Sequence, residues 1–409
     1  MSRPYSNVSR RRFLQSTGLS AVAAAGIVSA PAILRAQGAT VKVGVLHPVS
    51  GALSYSGQQG RLGATMAIDE INAAGGIKAL GAKIEAVLGD AQSTPDGGNA
   101  AVESMNSAGV AAIVGGYASS ICLAVSQTAA RYDLPYLVDV GVADSIVTRG
   151  LKNTFRFGPG FGVIAKTAID NLVALNEQAG KPAKTVMIVN EDSLFGSGLA
   201  KLLNAQLPDR GFQVLETIPH PTPTRDFNNV VLQIKAGNPD IVIPANYYNE
   251  YVLLARTMQQ QRVRPKAIYS VLGGAASSYK FVKEFPEAAQ YIMDCNHWFD
   301  PHNAKALALK KKVEDQGQFY TYEVYMNYSS ILLLADALER AGSADRAKIT
   351  GALEGSTFSG HVMPYGPTQF VNGQNQGAAP VNTQVLGNDI QVILPPAFAT
   401  AKPVFPMPA

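Results

Sequence analysis

A Gly-rich loop followed by two serines is the sequence feature best suited to bind an anion. Residues 115–120 read Gly-Gly-Tyr117-Ala-Ser-Ser and follow an apolar run that predicts a strand. The glycines let a ligand approach the backbone closely, and Ser119 or Ser120 begins the next predicted helix. A serine hydroxyl and the free N–H groups of a first helical turn suit a carboxylate or another anion. The alternative, which is the commoner role of such a serine, is that it caps its own helix.

Aromatic and amide side chains follow other predicted strands. Asn246 and Tyr247 come after a buried strand in the second half of the chain, and Phe195 lies in another loop there. Phe161 follows a Gly/Pro cluster, and Ser56 lies in the loop after the first strand. Aromatic groups with one polar end suit a pocket that excludes water and fixes the orientation of a ligand. Ordinary packing is the alternative for each of these residues taken singly.

Signatures of catalysis and metal binding are weak. The chain has no Gly-x-Ser-x-Gly, His-Glu-x-x-His or phosphate-loop motif, and residues 158–162 match a dinucleotide fingerprint poorly, which favours a hinge there. His297 and His302 are close in sequence, but an intervening proline argues against a metal-binding pair. Cys122 and Cys295 either pair in an oxidising compartment or remain two buried thiols. We therefore predict no enzymatic activity, no cofactor and no metal.

The composition fits a large two-part globular protein. A chain of 409 residues with 47% hydrophobic residues is long enough for two domains or lobes with their own cores. Its net charge of +4 comes from residues 1–36, which carry five arginines and no acid. Beyond residue 36, 29 basic residues face 30 acidic ones. This near-neutral body lacks the basic surface expected for binding nucleic acid or an anionic membrane.

The N-terminus has the pattern of an export signal. Arg-Arg-Arg-Phe-Leu over residues 10–14 precedes a small, apolar run over residues 17–30. This run is too short for the ~20 apolar residues of a membrane span, and arginines in this position are typical of the twin-arginine route. We expect cleavage after Ala36 and a periplasmic mature protein, with a membrane anchor as the alternative.

Predicted strands and helices alternate along the rest of the chain. Short β-branched runs such as Val41–Leu46 and Ile84–Leu88 precede segments with helical spacing of apolar residues. The alternation is broken by Phe155–Gly160 and restarts at Val186–Asn190. Strands that alternate with helices form parallel sheets with helices on both faces. The sequence therefore predicts an α/β protein with two doubly wound parallel-sheet lobes, followed by short strands and turns from residue 358 onward.

Six short segments occur in a fixed order along the chain. They are Val41-Lys-Val-Gly-Val-Leu46, Pro48-Val-Ser-Gly51, Gly63-Ala-Thr-Met-Ala-Ile-Asp-Glu-Ile-Asn72, Ala74-Gly-Gly-Ile77, Gly115-Gly-Tyr-Ala-Ser-Ser120 and Phe195-Gly-Ser-Gly198. This set resembles the type I periplasmic binding proteins of ABC importers, in the group that binds leucine, isoleucine, valine or amides. The resemblance covers essentially all of residues 40–400. The resemblance implies two lobes, joined by a three-strand hinge, that close on a small ligand. The implied lobes are residues 40–157 with 288–345, and residues 158–287 with 346–409.

The resemblance also implies binding residues. Ser119 matches the serine that binds the ligand carboxylate, and the backbone of Val140 and Val142 lies beside it. Phe195 and Tyr247 match an aromatic pair of the second lobe. With these we expect further ligand contacts from Ser56, Tyr117, Ser120, Phe161, Asn246 and Gly273.

Three positions depart from the members that bind amino acids. Those members hold the ammonium with a hydroxyl residue and an acid, and the matching residues here are Val142 and Gly273. Their hinge acid is replaced by Phe161. An ammonium without an anionic partner in a closed cleft is costly. We therefore expect a carboxylate or amide ligand that lacks an α-amine and has an apolar or aromatic body, with Glu250 or Glu323 as the alternative partner for a cation.

The resemblance further implies a monomer that delivers its small-molecule ligand to permease subunits in the inner membrane. A branched-chain amino acid binding protein is one alternative. An exported enzyme folded around a cofactor is another, against which the lack of a cofactor motif argues. A ligand sensor for a partner protein is the last, and the export signal argues against it.

Overall fold

The computed structural model describes residues 39–408, and the predicted export signal lies outside them. The strands in chain order are β1 (Ala39–His47), β2 (Ala82–Asp90), β3 (Ala112–Gly115), β4 (Tyr136–Val138), β5 (Thr154–Arg156), β6 (Thr185–Glu191), β7 (Gln213–His220), β8 (Ile241–Ala245), β9 (Ala267–Val271), β10 (Met293–Asn296), β11 (Phe370–Val371), β12 (Gln374–Asn375), β13 (Val381–Leu386) and β14 (Asp389–Leu394). The helices are α1 (Ser54–Ala73), α2 (Pro95–Ser107), α3 (Ser119–Ala130), α4 (Phe161–Gln178), α5 (Leu194–Gln206), α6 (Asn228–Gly237), α7 (Tyr248–Gln260), α8 (Tyr279–Glu284), α9 (Pro286–Ala289), α10 (Ala304–Asp315), α11 (Tyr322–Ala341) and α12 (Arg346–Glu354).

The strands of residues 39–408 form two sheets of seven strands each. The first sheet has the order β11-β12-β5-β4-β3-β1-β2, and the second has the order β14-β13-β10-β9-β8-β6-β7. Strands β1–β5 pair in parallel in the first sheet, and β6–β10 do so in the second. The C-terminal strands β13 and β14 extend the second sheet in antiparallel fashion. The predicted α/β class with two lobes is confirmed.

The chain passes between the sheets three times, after β5, β10 and β12. We call the part around the first sheet the first lobe and the part around the second sheet the second lobe. The first passage follows Arg156, in the predicted Gly/Pro segment. Because β10 pairs with β9 and β13, the second passage follows Asn296 rather than residue 288. Because β12 pairs with β5, the chain stays with the first sheet through Asn375, well past residue 345.

Four helices (α4, α8, α9 and α12) and strand β5 lie where the sequence analysis placed no element. Helix α4 begins directly after the Gly/Pro segment, which was interpreted only as a hinge, and it buries residues at helical spacing that include Ile164, Ala168 and Leu172. Helix α12 is capped by Asp345 and buries only Ile349 and Leu353, so its apolar pattern is short. Strand β5 has three residues, too few to show an alternation.

Helix α11 is buried along most of its length and packs against α1 in the first lobe. At the point of contact, Gly63 of α1 faces the backbone of Val324. A Cβ atom at Gly63 would lie 2.0 Å from the Val324 carbonyl oxygen. The missing side chain therefore allows the two helix backbones to approach closely, and this contact holds together two distant segments of the first lobe.

We expect Gly63→Ala to destabilise the fold by ~1–3 kcal/mol, because the added methyl group has no room and the helices must separate. The control is Gly351→Ala in α12, where an added Cβ meets nothing within 4 Å. That substitution is expected to stabilise the protein by ~0.5–1 kcal/mol, since alanine is the better helix former. Urea unfolding of both variants measures the difference, and the same sign for both would contradict the assignment of Gly63 to this contact.

Candidate functional site

The topology brings one loop from each lobe to the same place. In each sheet the strand order reverses beside the lobe's first strand, because β1 lies between β2 and β3, and β6 lies between β7 and β8. Open α/β sheets bind ligands in the crevice at such a point, beyond the carboxyl ends of the strands. The loop after β3 carries Tyr117 and leads to Ser119, and the loop after β8 carries Asn246 and Tyr247. The two loops face each other, with the Tyr117 and Tyr247 ring centroids 5.8 Å apart.

A cavity lies between these loops. Its volume is about 350 Å³ with the open mouth included, and the cavity is narrow, since little of this volume is wide enough for a water molecule. The lining residues are Tyr117, Ser119, Val140, Val142, Phe195, Asn246, Tyr247, Leu272, Gly274, Asn296, His297 and Tyr322. Aromatic and aliphatic walls with a few polar groups are typical of small-molecule sites.

Seven of the eleven residues predicted to contact a ligand line this cavity. The other four lie behind or beside it. Ser56 is buried in the first turn of α1, and Ser120 is half-buried in the first turn of α3. The Phe161 ring lies against Gly198 in the second lobe. Gly273 points its N–H at Asp294, and an added Cβ there would meet Tyr251 at 2.8 Å. Ligand contact by any of the eleven remains a prediction.

Five lining residues were missed by the sequence analysis. Leu272 and Gly274 lie in the loop after β9, on either side of Gly273, which was the residue of this loop predicted to contact the ligand. Asn296 is the last residue of β10 and His297 follows it, at a strand end for which the sequence analysis named no ligand contact. Tyr322 begins α11, and no local signal marks it, because only the packing of α11 in the first lobe brings it to the cavity.

Ser119 does not cap its own helix. The N-cap residue of α3 is Ala118, and the Ser119 hydroxyl oxygen instead accepts a hydrogen bond from the Ala143 N–H at 3.2 Å. Since this bond occupies the oxygen as an acceptor, the hydroxyl proton is free to be donated into the cavity. The first N–H groups of α3 have no partner within the helix. The Ser119 hydroxyl therefore places a hydrogen-bond donor on the first-lobe side of the cavity, beside the N-terminus of α3.

A buried carboxylate fixes the loop before α3. Asp139 accepts hydrogen bonds from the Tyr117 N–H at 3.1 Å and the Asn327 amide at 2.9 Å. His47 lies 3.4 Å from the same carboxylate. Burial raises the pKa of Asp139, but the hydrogen bonds from His47, the Val140 N–H and Asn327 together hold it below its usual value. The bond to Tyr117 stabilises a backbone with φ of 59°, which a tyrosine rarely adopts.

In the second lobe, the buried Asp294 carboxylate fixes the loop after β9 in the same way, but the groups that donate to it are all neutral. Its carboxylate accepts hydrogen bonds from the Gly273 N–H at 3.0 Å, the Ser277 hydroxyl at 2.6 Å and the Asn296 amide at 2.9 Å. The preceding Leu272 has a φ of 57°. Burial raises the pKa of Asp294 to about 6, although these hydrogen bonds lower it. Each lobe thus fixes its cavity loop with a buried carboxylate, but the pKa is lowered for Asp139 and raised for Asp294.

Three buried polar atoms of the lining have no hydrogen-bond partner within residues 39–408. They are Asn246 Oδ1, the Tyr247 hydroxyl and His297 Nε2. Burial lowers the pKa of His297 to about 4, so its ring is neutral near pH 7. Buried polar groups are nearly always paired, so unpaired ones that surround a cavity point to a ligand.

Among the described residues, no Asp or Glu lines the cavity. Glu250 lies outside the lining and accepts a hydrogen bond from the Thr224 N–H at 3.3 Å. Glu323 is also outside it, in the first turn of α11, where burial raises its pKa and Oε1 has no partner in the described chain. Glu191 accepts the N–H groups of Ser193 and Gly196 at the start of α5. None of these three carboxylates is part of the described lining, although Glu323 directly follows the lining residue Tyr322.

The structure also shows whether the two cysteines pair and whether potential metal ligands come together. Cys122 and Cys295 are buried free thiols, which decides between the two alternatives. Over residues 39–408, no three His, Cys, Asp or Glu side chains come together in a way that could hold a metal ion. None of the helices in that range has the length and apolar character to cross a membrane.

The profile of the periplasmic binding protein family matches residues 40–388. The chain belongs to this family. The resemblance drawn from the sequence is thereby confirmed. Since the family consists of binding proteins for transport, the expectation that the protein is not an enzyme is confirmed as well.

The proteins similar to this periplasmic binding protein include binding proteins of branched-chain amino acid transporters. The Leu/Ile/Val-binding protein homolog 8 of Brucella abortus is 27% identical over 397 residues, which cover 93% of this chain and 96% of the homolog. The substrate-binding protein LivJ from Streptococcus pneumoniae, solved with isoleucine, has a TM-score of 0.74 at 22% identity and covers 87% of this chain and 100% of LivJ. A solute-binding protein from R. palustris, solved with benzoate, has a TM-score of 0.75 at 19% identity, with 89% and 98% covered. At such identities the two structures show a shared fold.

We expect the stability of this periplasmic binding protein to fall as pH rises from about 4 to about 6, by about 3 kcal/mol through Asp294. The folded state keeps the Asp294 proton in this window while the unfolded state has lost it. Asp294→Asn removes that contribution. The free energy of unfolding of the variant is therefore expected to decrease less between about pH 4 and about pH 6 than that of the wild type.

Asp139→Asn is the matched control for this measurement. The pKa of Asp139 is lowered, so its contribution is present above the unfolded pKa and is lost as pH falls. Removal of Asp139 therefore changes the pH slope in the opposite direction. Urea unfolding at a series of pH values gives both slopes, and a slope unaltered by Asp294→Asn would refute the shifted pKa.

Proposed function

We propose that this protein binds a small carboxylate or amide that lacks an α-amine, and delivers it to the membrane subunits of an ABC importer. The observation that carries this proposal is the polarity of the cavity. Hydrogen-bond donors from Ser119 and the start of α3 lie on the first-lobe side, and no Asp or Glu stands in the described lining. A carboxylate finds donors there, whereas an ammonium would be buried without an anionic partner.

The walls favour an apolar or aromatic ligand body. The Phe195 and Tyr247 ring centroids are 5.3 Å apart, and Leu272 and Tyr322 complete the apolar surface. Flat rings stack well in a narrow space bounded by other rings. The R. palustris neighbour solved with benzoate has the same fold and is consistent with this ligand class.

Binding is coupled to closure of the lobes. Ser119 belongs to the first lobe, and Asn246 and Tyr247 belong to the second, so a ligand that touches both favours the closed arrangement. Closed and open forms then differ in shape, which is what the membrane subunits would detect. We also propose that the mature protein is a periplasmic monomer, exported by the twin-arginine route that the N-terminal arginines indicate.

A branched-chain amino acid is the second candidate ligand. The names of the Brucella and Streptococcus relatives favour it. Its ammonium would have to reach Glu323 or Glu250, neither of which lines the cavity.

A thermal-shift screen of the purified mature protein separates these candidates. The ligands are leucine, simple amides, and aliphatic and aromatic carboxylates such as benzoate. A ligand at 100 times its dissociation constant adds about 2.7 kcal/mol to the folded state. We expect carboxylates without an amine to raise the unfolding temperature, whereas a rise with leucine and none with these acids would replace the proposed ligand class.

We expect Ser119→Ala to weaken the binding of benzoate by ~10–100-fold, because a hydrogen bond to a charged group contributes ~1.5–3 kcal/mol. Ser120→Ala is the matched control, since Ser120 is the next residue of α3 and does not line the cavity. Calorimetric titration of both variants measures the effect. Equal losses in the two variants would show that Ser119 has no special role.

A further inference from the structure

Asn246 presents a buried amide oxygen to the cavity. The residue is fully buried directly after β8, it lines the cavity, and its Oδ1 has no hydrogen-bond partner within the described residues. Its backbone is also held, since its carbonyl oxygen accepts the Gly274 N–H at 2.9 Å. A Cβ at Gly274 would lie 2.8 Å from that carbonyl oxygen. The side chain therefore starts from a fixed position.

His220 decides which end of the Asn246 amide faces the ligand. His220 Nδ1 lies 3.0 Å from the Pro221 carbonyl oxygen, which can only accept, so Nδ1 carries the proton. Burial lowers the pKa of His220, so the ring is neutral near pH 7 and Nε2 is left as an acceptor. The Asn246 Nδ2 group donates to this Nε2. Rotation of the amide would place two acceptors together, so Oδ1 must face away from His220.

This oxygen differs in kind from the other polar groups of the lining. The Tyr247 hydroxyl can donate or accept, and the role of His297 Nε2 depends on its tautomer. The Ser119 end of the cavity offers donors. Asn246 Oδ1 is a pure acceptor in a fixed direction, and a buried acceptor that has no donor is unfavourable.

We propose that Asn246 is a specificity-determining residue that selects ligands with a hydrogen-bond donor, a hydroxyl or N–H group, on the part that faces the second lobe. His220 is the positioning residue that fixes the orientation of the amide. This inference rests on the proposed function and deepens it, because it narrows the ligand class from simple acids to acids that also carry such a donor. The donor satisfies Oδ1, whereas a ligand with only acceptors or apolar atoms at this point leaves Oδ1 unpaired.

The test compares ligands that differ only in this group. The probes are benzoate, 3- and 4-hydroxybenzoate, and 3- and 4-methoxybenzoate, titrated calorimetrically into the purified mature protein. The methoxy acids keep the oxygen but cannot donate. We expect at least one hydroxy acid to bind about tenfold or more tightly than both benzoate and its own methoxy counterpart.

Two variants assign this preference to Asn246. In Asn246→Leu, which has similar size and no acceptor, the ratio of hydroxybenzoate to benzoate affinity is expected to fall by about tenfold. In His220→Phe, which keeps a ring against Phe227, the amide is free to turn and the same ratio is expected to fall as well. The ratio within one variant is insensitive to a general loss of affinity or of folded protein.

The outcomes distinguish a failure of this inference from a failure of the proposed function. If the acids bind but the hydroxy acids gain nothing over benzoate, the role of Asn246 is overturned and the proposed function stands. A preference for hydroxy acids that survives Asn246→Leu also overturns it. If no carboxylate binds to the wild-type protein, the proposed function fails, and the inference fails with it.

Discussion

The loops at the mouth of each lobe are buried, so their backbone N–H groups need acceptors that no strand provides. Asp139, directly after β4, and Asp294, within β10, provide these acceptors. Each carboxylate binds the loop that follows the neighbouring strand. Both loops contain a residue with positive φ, Tyr117 in the first lobe and Leu272 in the second. The hydrogen bonds to these carboxylates hold that backbone in place. Without them, neither wall of the cavity would have a fixed shape.

The two carboxylates are nonetheless stabilised in different ways. Asp139 has His47 beside it, whereas Asp294 has hydrogen bonds from neutral groups alone and its pKa rises to about 6. A buried charge without a basic partner is costly even when it is fully hydrogen-bonded. The second-lobe wall is therefore held by the weaker of the two arrangements. It is also the wall that carries Asn246, the acceptor from which we infer the ligand's donor.

The polarity of the cavity is set by groups that do not line it. The Ala143 N–H binds the oxygen of Ser119 and leaves its proton free, while His220 binds the amide nitrogen of Asn246 and leaves its oxygen free. In both residues, the part of the side chain that its neighbour does not bind is left free for a ligand. A molecule with an anionic group toward one lobe and a donor toward the other complements both walls at once, which favours the closed form.

The alternation of strands and helices, the Gly-rich loop before Ser119 and the aromatic loops of the second lobe were all predictable, because each depends on residues close together in the chain. The sequence alone also excluded catalytic and metal motifs. Which loop residues face the cavity was not predictable, since position after a strand does not give the direction of a side chain. Ser56, Phe161 and Gly273 lie outside its lining, and Tyr322 reaches it from α11, 205 residues beyond Tyr117. Those placements, the late crossovers and the orientation of the Asn246 amide depend on contacts between distant segments, which only the tertiary structure decides.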